Sequence, residues 1–231
     1  MTLASLLSEL PKLYKTSNIN SESWYLAAAV VITTLNYPQD ISQLYQQVNL
    51  SVTNMKDRET LILRLKEGIF KSSAIVGIPK VINALGQLQA AIPNDVKDNL
   101  PTSTIRPTTE WQDIVDQRQR GTALFNKIYD RHASRVLNNL EKDYPDLAQL
   151  ALEDTYGKVL SNVDRVGALD TSFVVMAGLM VQDLPAQVKG HYYGAIHHGA
   201  TEQQLSSLET IVENLCRFYN HQGYCLLPVK K

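Results

Sequence analysis

Apolar residues recur along almost the whole chain at intervals of three and four, the spacing of one face of an α-helix. No stretch alternates apolar and polar positions as a half-buried strand would. Leu3, Leu6, Leu7, Leu10 and Tyr14 mark a first helix, and Asn20-Ser21 starts a second that runs from Trp24 to Leu35 and ends before Pro38. A short helix follows around Ile41 to Val48. Asn54 and Asp57 then open a long one with Leu61, Leu65 and Ile69 on one face; Gly77 closes it and Pro79 begins the next, PKVINALGQLQAA. Residues 93–109, with Pro93, Pro101 and Pro107 among Asn, Asp, Ser and Thr, read as a linker between a helical half at 1–92 and another at 110–231.

The second half opens with Thr109 as N-cap and Gln112 at N3, a capping box. One helix then carries Phe125, Ile128, Tyr129, Ala133, Val136, Leu137 and Leu140 on a stripe that includes His132, which reads as a buried histidine bonded to a carbonyl. Pro145 starts the helix PDLAQLALEDTYGKVLS, and an apolar helix from Thr171 to Val181 leads to DLPAQVKGHYYGAIHHGAT, opened by Pro185 and closed by Gly199. Three of the five histidines, His191, His197 and His198, sit on this helix; Gln187, His191, Ala195 and His198 share one face, with Val188 and Tyr192 on the adjoining one. Thr201 with Gln204 makes a second capping box before Leu205, Leu208, Ile211, Val212 and Leu215. The expectation is an all-α protein.

Composition narrows the function classes. With 44% hydrophobic and 19% charged residues the chain is ordinary for a globular protein. A net charge of -1 gives no electrostatic reason to bind nucleic acid or an anionic membrane, and Arg118, Arg120 and Lys127 read as a solvated helix face. No apolar run reaches the ~18 residues of a membrane span. Glu9 and the absence of Arg at the N-terminus argue against a secretory or mitochondrial leader, and the final residues are not of the SKL type. The expected location is intracellular and cytoplasmic, with mitochondrion and peroxisome left open. Two cysteines, Cys216 and Cys225, make no disulfide framework. His191 and His198 stand about 10 Å apart along a helix, too far to share a metal, and no nucleotide motif occurs. No metal and no cofactor are expected.

The YGKVLS of Tyr156 to Ser161, the apolar helix around Phe173 to Leu179 and HYYGAIHHGAT resemble the carboxymuconolactone decarboxylase-like family, which has the helical AhpD fold. The pattern H-x-x-x-A-x-x-x-G-x-T falls on His191, Ala195, Gly199 and Thr201; RETLILRL and VGIPKVINAL of the first half look like the fungal-type members. The resemblance covers roughly residues 55–90 and 118–215 and implies two related helical halves, the first divergent, and a homo-oligomer. In the peroxidase branch a Glu, a C-x-x-C and a His form a thiol relay. If His191 is the family histidine, Leu184 and Gln187 occupy the cysteine positions and Ser172 that of the glutamate, so alkylhydroperoxidase activity is disfavoured.

The branch without cysteines implies a cofactor-free lyase or hydrolase on a small carboxylate or lactone, with His191 as acid/base because histidine titrates near neutrality. Tyr156 and Glu153, one turn apart on another helix, are expected to face it. Lys189, Tyr192 and His198 are expected to hold the substrate. The alternative is a non-catalytic oligomeric or interaction module of the same fold. A pocket lined by His191, Tyr156 and Glu153 would favour the enzyme; that space filled by Leu184 and its neighbours would favour the module.

Overall fold

Two helices that are apolar on every side must be surrounded, and the rest of the chain surrounds them. The computed structural model describes residues 1–13 and 23–228. The helix position expected for Tyr14, the helix start expected at Asn20-Ser21 and the terminal Val229-Lys230-Lys231 lie outside them. Among the described residues every regular element is helical, as the apolar spacing predicts.

The elements are α1 (Leu3–Leu13), α2 (Trp24–Leu35), α3 (Asp40–Asn49), α4 (Met55–Val76), α5 (Ile78–Ala91), the single turn α6 (Asn94–Lys97), α7 (Trp111–Tyr129), α8 (Ala133–Asp143), α9 (Pro145–Gln149), α10 (Ala168–Val181), α11 (Pro185–His197) and α12 (Glu202–Phe218). A 3-10 turn at Asp130–His132 separates α7 from α8, and α9 runs on into a π-helix, Leu150–Leu160. Asn54 caps α4 by accepting from the Asp57 N–H at 2.9 Å, and the Thr201–Gln204 box opens α12, both as their spacing predicts. Gly77 joins α4 to α5 at φ +85°, and Gly199 closes α11 at φ +89°, conformations open to glycine without a Cβ clash.

α2 and α10 lie side by side at the centre, with essentially every side chain of both buried. α4 packs on one side of the pair and α12 on the other, while α1 reaches across to α3 and α12. Each buried aliphatic side chain contributes about 2 kcal/mol, so Leu26, Val30, Val31 and Ile32 on α2 and Val174, Val175, Leu179 and Val181 on α10 make the central pair costly to expose. The apolar core continues across the expected division at 93–109, because α2 belongs to one half and α10 to the other.

Charges that the helical pattern does not single out tie the periphery to this core. Lys71 on α4 is fully buried, and its ammonium donates to the carbonyls of Leu160, Asn162 and Val166 and to the Thr171 hydroxyl at 2.6–3.2 Å. Burial pushes its pKa down to about 8. Arg64 pairs with Asp170 at 2.8 Å and donates to the Tyr25 hydroxyl, while Arg106 pairs with the buried Glu67 and donates to the carbonyls of Lys158 and Val159.

Three expectations need correction. The capping box of α7 is Glu110 with Asp113, one residue later than Thr109 with Gln112, because Trp111 is the first helical residue. The stretch read as a linker, 93–109, contains the turn α6 and is held against the core: Val96 is buried, and Arg106 donates to the carbonyls of Lys158 and Val159. The helix expected through Leu140 stops at Tyr129, since Asp130 takes φ +47°. That break turns His132 outward, where its ring meets Arg131 and Arg135 at 3.4 Å, so it is exposed and not a carbonyl-bonded core histidine.

Candidate functional site

Pro185 sits in the first turn of α11, where a missing N–H is harmless, and two glycines then let the helix lie close on α7. A Cβ on Gly194 would stand 2.7 Å from Ile128 Cγ2, and one on Gly190 would stand 3.2 Å from Tyr129 Cε1. The face turned inward carries Val188, His191, Tyr192, Gly194 and Ala195. His191 is therefore 6% exposed.

His191 Nε2 lies 3.4 Å from the Tyr156 hydroxyl, and the two rings are parallel within 6° at 6.4 Å between centroids. The Tyr156 hydroxyl in turn lies 2.9 Å from that of Tyr129. Phe125 closes the group, edge-on to Tyr156 at 5.1 Å and tilted on Tyr129 at 4.6 Å. Burial, helped by the nearby His198, pushes His191 down to about 4. The same burial holds Tyr156 well above the usual phenol value and raises Tyr129. All three groups are neutral at ordinary pH, joined as imidazole, phenol and phenol.

The far end of this chain opens on a cavity of about 410 Å³ between α7 and α11. Tyr129 lines it, with Arg131, His132, Lys189, Tyr193 and His197 around it and Asp130 as the acid in the wall. His197 Nδ1 is 3.0 Å from the Lys127 carbonyl and 3.2 Å from that of Ile128. A carbonyl only accepts, so His197 Nδ1 carries a proton and donates.

The structure brings some of the expected site residues together and separates others. Tyr156 meets His191 as expected. Glu153 does not: its carboxylate pairs with Arg118 at 2.7 Å and accepts from Gln149. The π-helix explains the divergence, because at about 4.4 residues per turn two side chains three apart lie about 115° apart, against about 60° in an α-helix. The wide turn goes with a backbone crossing in which a Cβ on Gly121 of α7 would stand 2.6 Å from Gly157 Cα and 2.5 Å from the Leu152 carbonyl oxygen.

Lys189 reaches the cavity beside Tyr129, but Tyr192 points away into a separate space under α12 and the tail, lined also by Leu205 and Leu227. His198 Nδ1 donates to the Ser172 hydroxyl at 3.0 Å, whose own proton goes to the Ala168 carbonyl. Ser172, expected from the resemblance to stand where that family has a glutamate, thus meets His198 and not His191. Leu184, just before α11, and Gln187, in its first turn, are both exposed. Cys216 is sealed in the core with its thiol pushed up to about 12 by burial, and Cys225 is also raised; both are free thiols. Among the described residues no three His, Cys, Asp or Glu side chains are grouped to hold a metal ion, and no helix is long and apolar enough to cross a membrane.

Sequence reasoning missed Tyr129, the residue that links the buried pair to the cavity. Its signal was present as an i+4 neighbour of Phe125 on an apolar stripe, where an aromatic reads as core.

No protein-family profile matches the chain. Over 187 residues it is 33% identical to Peroxisomal protein 2 of Schizosaccharomyces pombe, covering 81% of this chain and 82% of that protein. It is 26% identical over 238 aligned positions to Peroxisomal protein 2 of Saccharomyces cerevisiae, covering 80% and 84% respectively.

Proposed function

The chain belongs to the peroxisomal protein 2 family, and from that premise we propose that it is a peroxisomal, cofactor-free acid–base enzyme acting on a small carboxylate or lactone. The observation that carries the reading is the hydrogen-bonded series from His191 through Tyr156 to Tyr129, which ends on a cavity with Lys189 and Arg131 in its wall. The resemblance to the carboxymuconolactone decarboxylase-like family supports the same class of substrate, and the names of the two relatives support the location.

In this reading Lys189 and Arg131 hold the substrate carboxylate, an arrangement that costs little because neither has an acid partner among the described ion pairs. A proton leaving the carbon next to the substrate carbonyl goes to the Tyr129 oxygen. Tyr129's own proton passes to Tyr156, and that of Tyr156 to His191 Nε2; the electron pair stays on the substrate as an enolate beside the Lys189 ammonium. The depressed pKa keeps the imidazole neutral and able to accept. The same burial makes the imidazolium a strong acid, so the proton returns along the series in the second half of the reaction. Glu153 has no part in this scheme.

The test is turnover of a panel of small lactones and keto acids by wild type, Tyr129→Phe, His191→Gln and Lys189→Gln. Removing the terminal hydroxyl is expected to lower kcat by about a hundredfold or more, and Lys189→Gln to raise KM. A second reading, the non-catalytic module, is favoured by one fact: His191 is not among the residues lining the α7–α11 cavity, and its contact with Tyr156 binds α11 to the π-helix. No turnover and no ligand-dependent rise in Tm across the panel would select it and end the enzyme reading. Self-association belongs to either reading, and the exposed row Tyr144, Leu147 and Leu150 supports it; a monomer in sedimentation would remove it.

A further inference from the structure

A second cavity, of about 470 Å³, lies on another side of the molecule between α4, α5 and the loop before α7. Glu67 is the acid in its wall, and Arg106 already neutralises it. Lys66 and Arg165 also line it, and among the described residues neither has an acid partner. Among the described residues the Lys66 ammonium donates to the neutral Gln89 at 2.7 Å and to no carboxylate. Burial and the positive charges of Arg165 and Lys97 together hold its pKa below the usual lysine value, so a positive field is left uncompensated there. The Thr104 hydroxyl accepts from the Arg106 N–H at 3.0 Å, which leaves its proton free to donate outward.

The apolar side of the cavity is built from Phe70, with the Arg106 guanidinium 4.6 Å from its ring centroid, and Leu85. Gly86, in the middle of α5, also lines it. Glycine is disfavoured in a helix interior relative to alanine, and here packing does not demand it: a Cβ would meet nothing within 4 Å. Its effect is to leave the floor of the cavity clear. Two uncompensated cations beside an apolar, unobstructed floor describe the complement of a dianion with a flat apolar body.

We infer that this cavity binds a phosphorylated small molecule, its phosphate between Lys66 and Arg165 and its apolar body against Phe70 and Leu85 over Gly86. The site is independent of the Tyr129 cavity and does not rest on the catalytic reading.

Titration calorimetry of the full chain with phenyl phosphate, inorganic phosphate, phenylacetate and benzyl alcohol tests it. Phenyl phosphate is expected to bind more tightly than inorganic phosphate or phenylacetate, and benzyl alcohol not to bind. Arg165→Gln is expected to weaken phenyl phosphate about tenfold. Gly86→Phe, which has open space to enter, should abolish binding at unchanged Tm, while Gly86→Ala and Lys189→Gln should bind as wild type does. The inference is overturned if phenyl phosphate fails to bind, if Gly86→Phe and Arg165→Gln leave its affinity unchanged, or if phenylacetate binds equally well.

Discussion

Replacing His191 by Gln removes a buried group whose protonation the fold opposes. Its pKa falls from 6.5 in the unfolded chain to about 4 in the folded one, chiefly through burial. The unfolded chain therefore binds more protons between those values, and stability present above 6.5 is lost as the pH falls through the window. At about pH 5 nearly all unfolded chains but only about a tenth of folded ones carry the proton, a linkage of about 2 kcal/mol. The full loss, below the folded value, is about 3 kcal/mol. At 6% exposure there is little solvent to screen it.

Gln is smaller and can still accept from Tyr156, so the two proteins should differ more in pH dependence than in stability at neutral pH. The assay is urea unfolding of wild type and His191→Gln at about pH 7 and about pH 5. Wild type should lose about 2 kcal/mol more than the variant, or about 6 °C in Tm for a chain of this length. His198, also lowered by burial, titrates in the same direction in both proteins and largely cancels. Equal losses in the two would mean that His191 is not held neutral, and the relay argument would fail with it.

Other consequences follow from particular contacts. Lys71→Met strands three carbonyls and the Thr171 hydroxyl in the core and should cost about 3 kcal/mol or more in urea unfolding; a loss under about 1 kcal/mol would contradict the role given to that ammonium. Gly121→Ala forces a methyl against backbone at 2.5 Å and should destabilise by about 3 kcal/mol, whereas Gly86→Ala, with open space above it, should be neutral or stabilising. A thiol reagent should label Cys225 well before Cys216, and dithiol-dependent peroxide consumption should be absent; rapid labelling of Cys216 would contradict its burial.

Much of the fold was legible because it is written in periodicity and in caps. Pro79, Pro145, Pro185, Gly77 and Gly199 mark helix ends by backbone chemistry alone, and the structure uses each near an end. What escaped has a different cause. Nothing in Tyr129-Asp130 announces a left-handed residue, so the break after α7, and with it the exposure of His132, was not readable. A π-helix shares its residue types with an α-helix, so the separation of Glu153 from Tyr156 around the helix is not legible in the sequence. The polar stripe on α11 is buried only in its middle, at His191 and Ala195, where Gly190 and Gly194 let α7 approach closely, while Gln187 stays exposed. Lys71, Arg64 and Arg106 could not be found at all: a charged residue on an amphipathic helix looks the same whether its partners are water or carbonyls brought in from ninety residues away.

The central claim is that Tyr129 presents the His191–Tyr156 pair to a carboxylate held in the α7–α11 cavity. A crystal structure with a bound keto acid tests it most directly. The account predicts the carboxylate on Lys189 and Arg131, with the keto oxygen or adjacent carbon within hydrogen-bonding reach of the Tyr129 hydroxyl. A ligand seated away from Tyr129, or a cavity that stays empty at saturating keto acid, would contradict it.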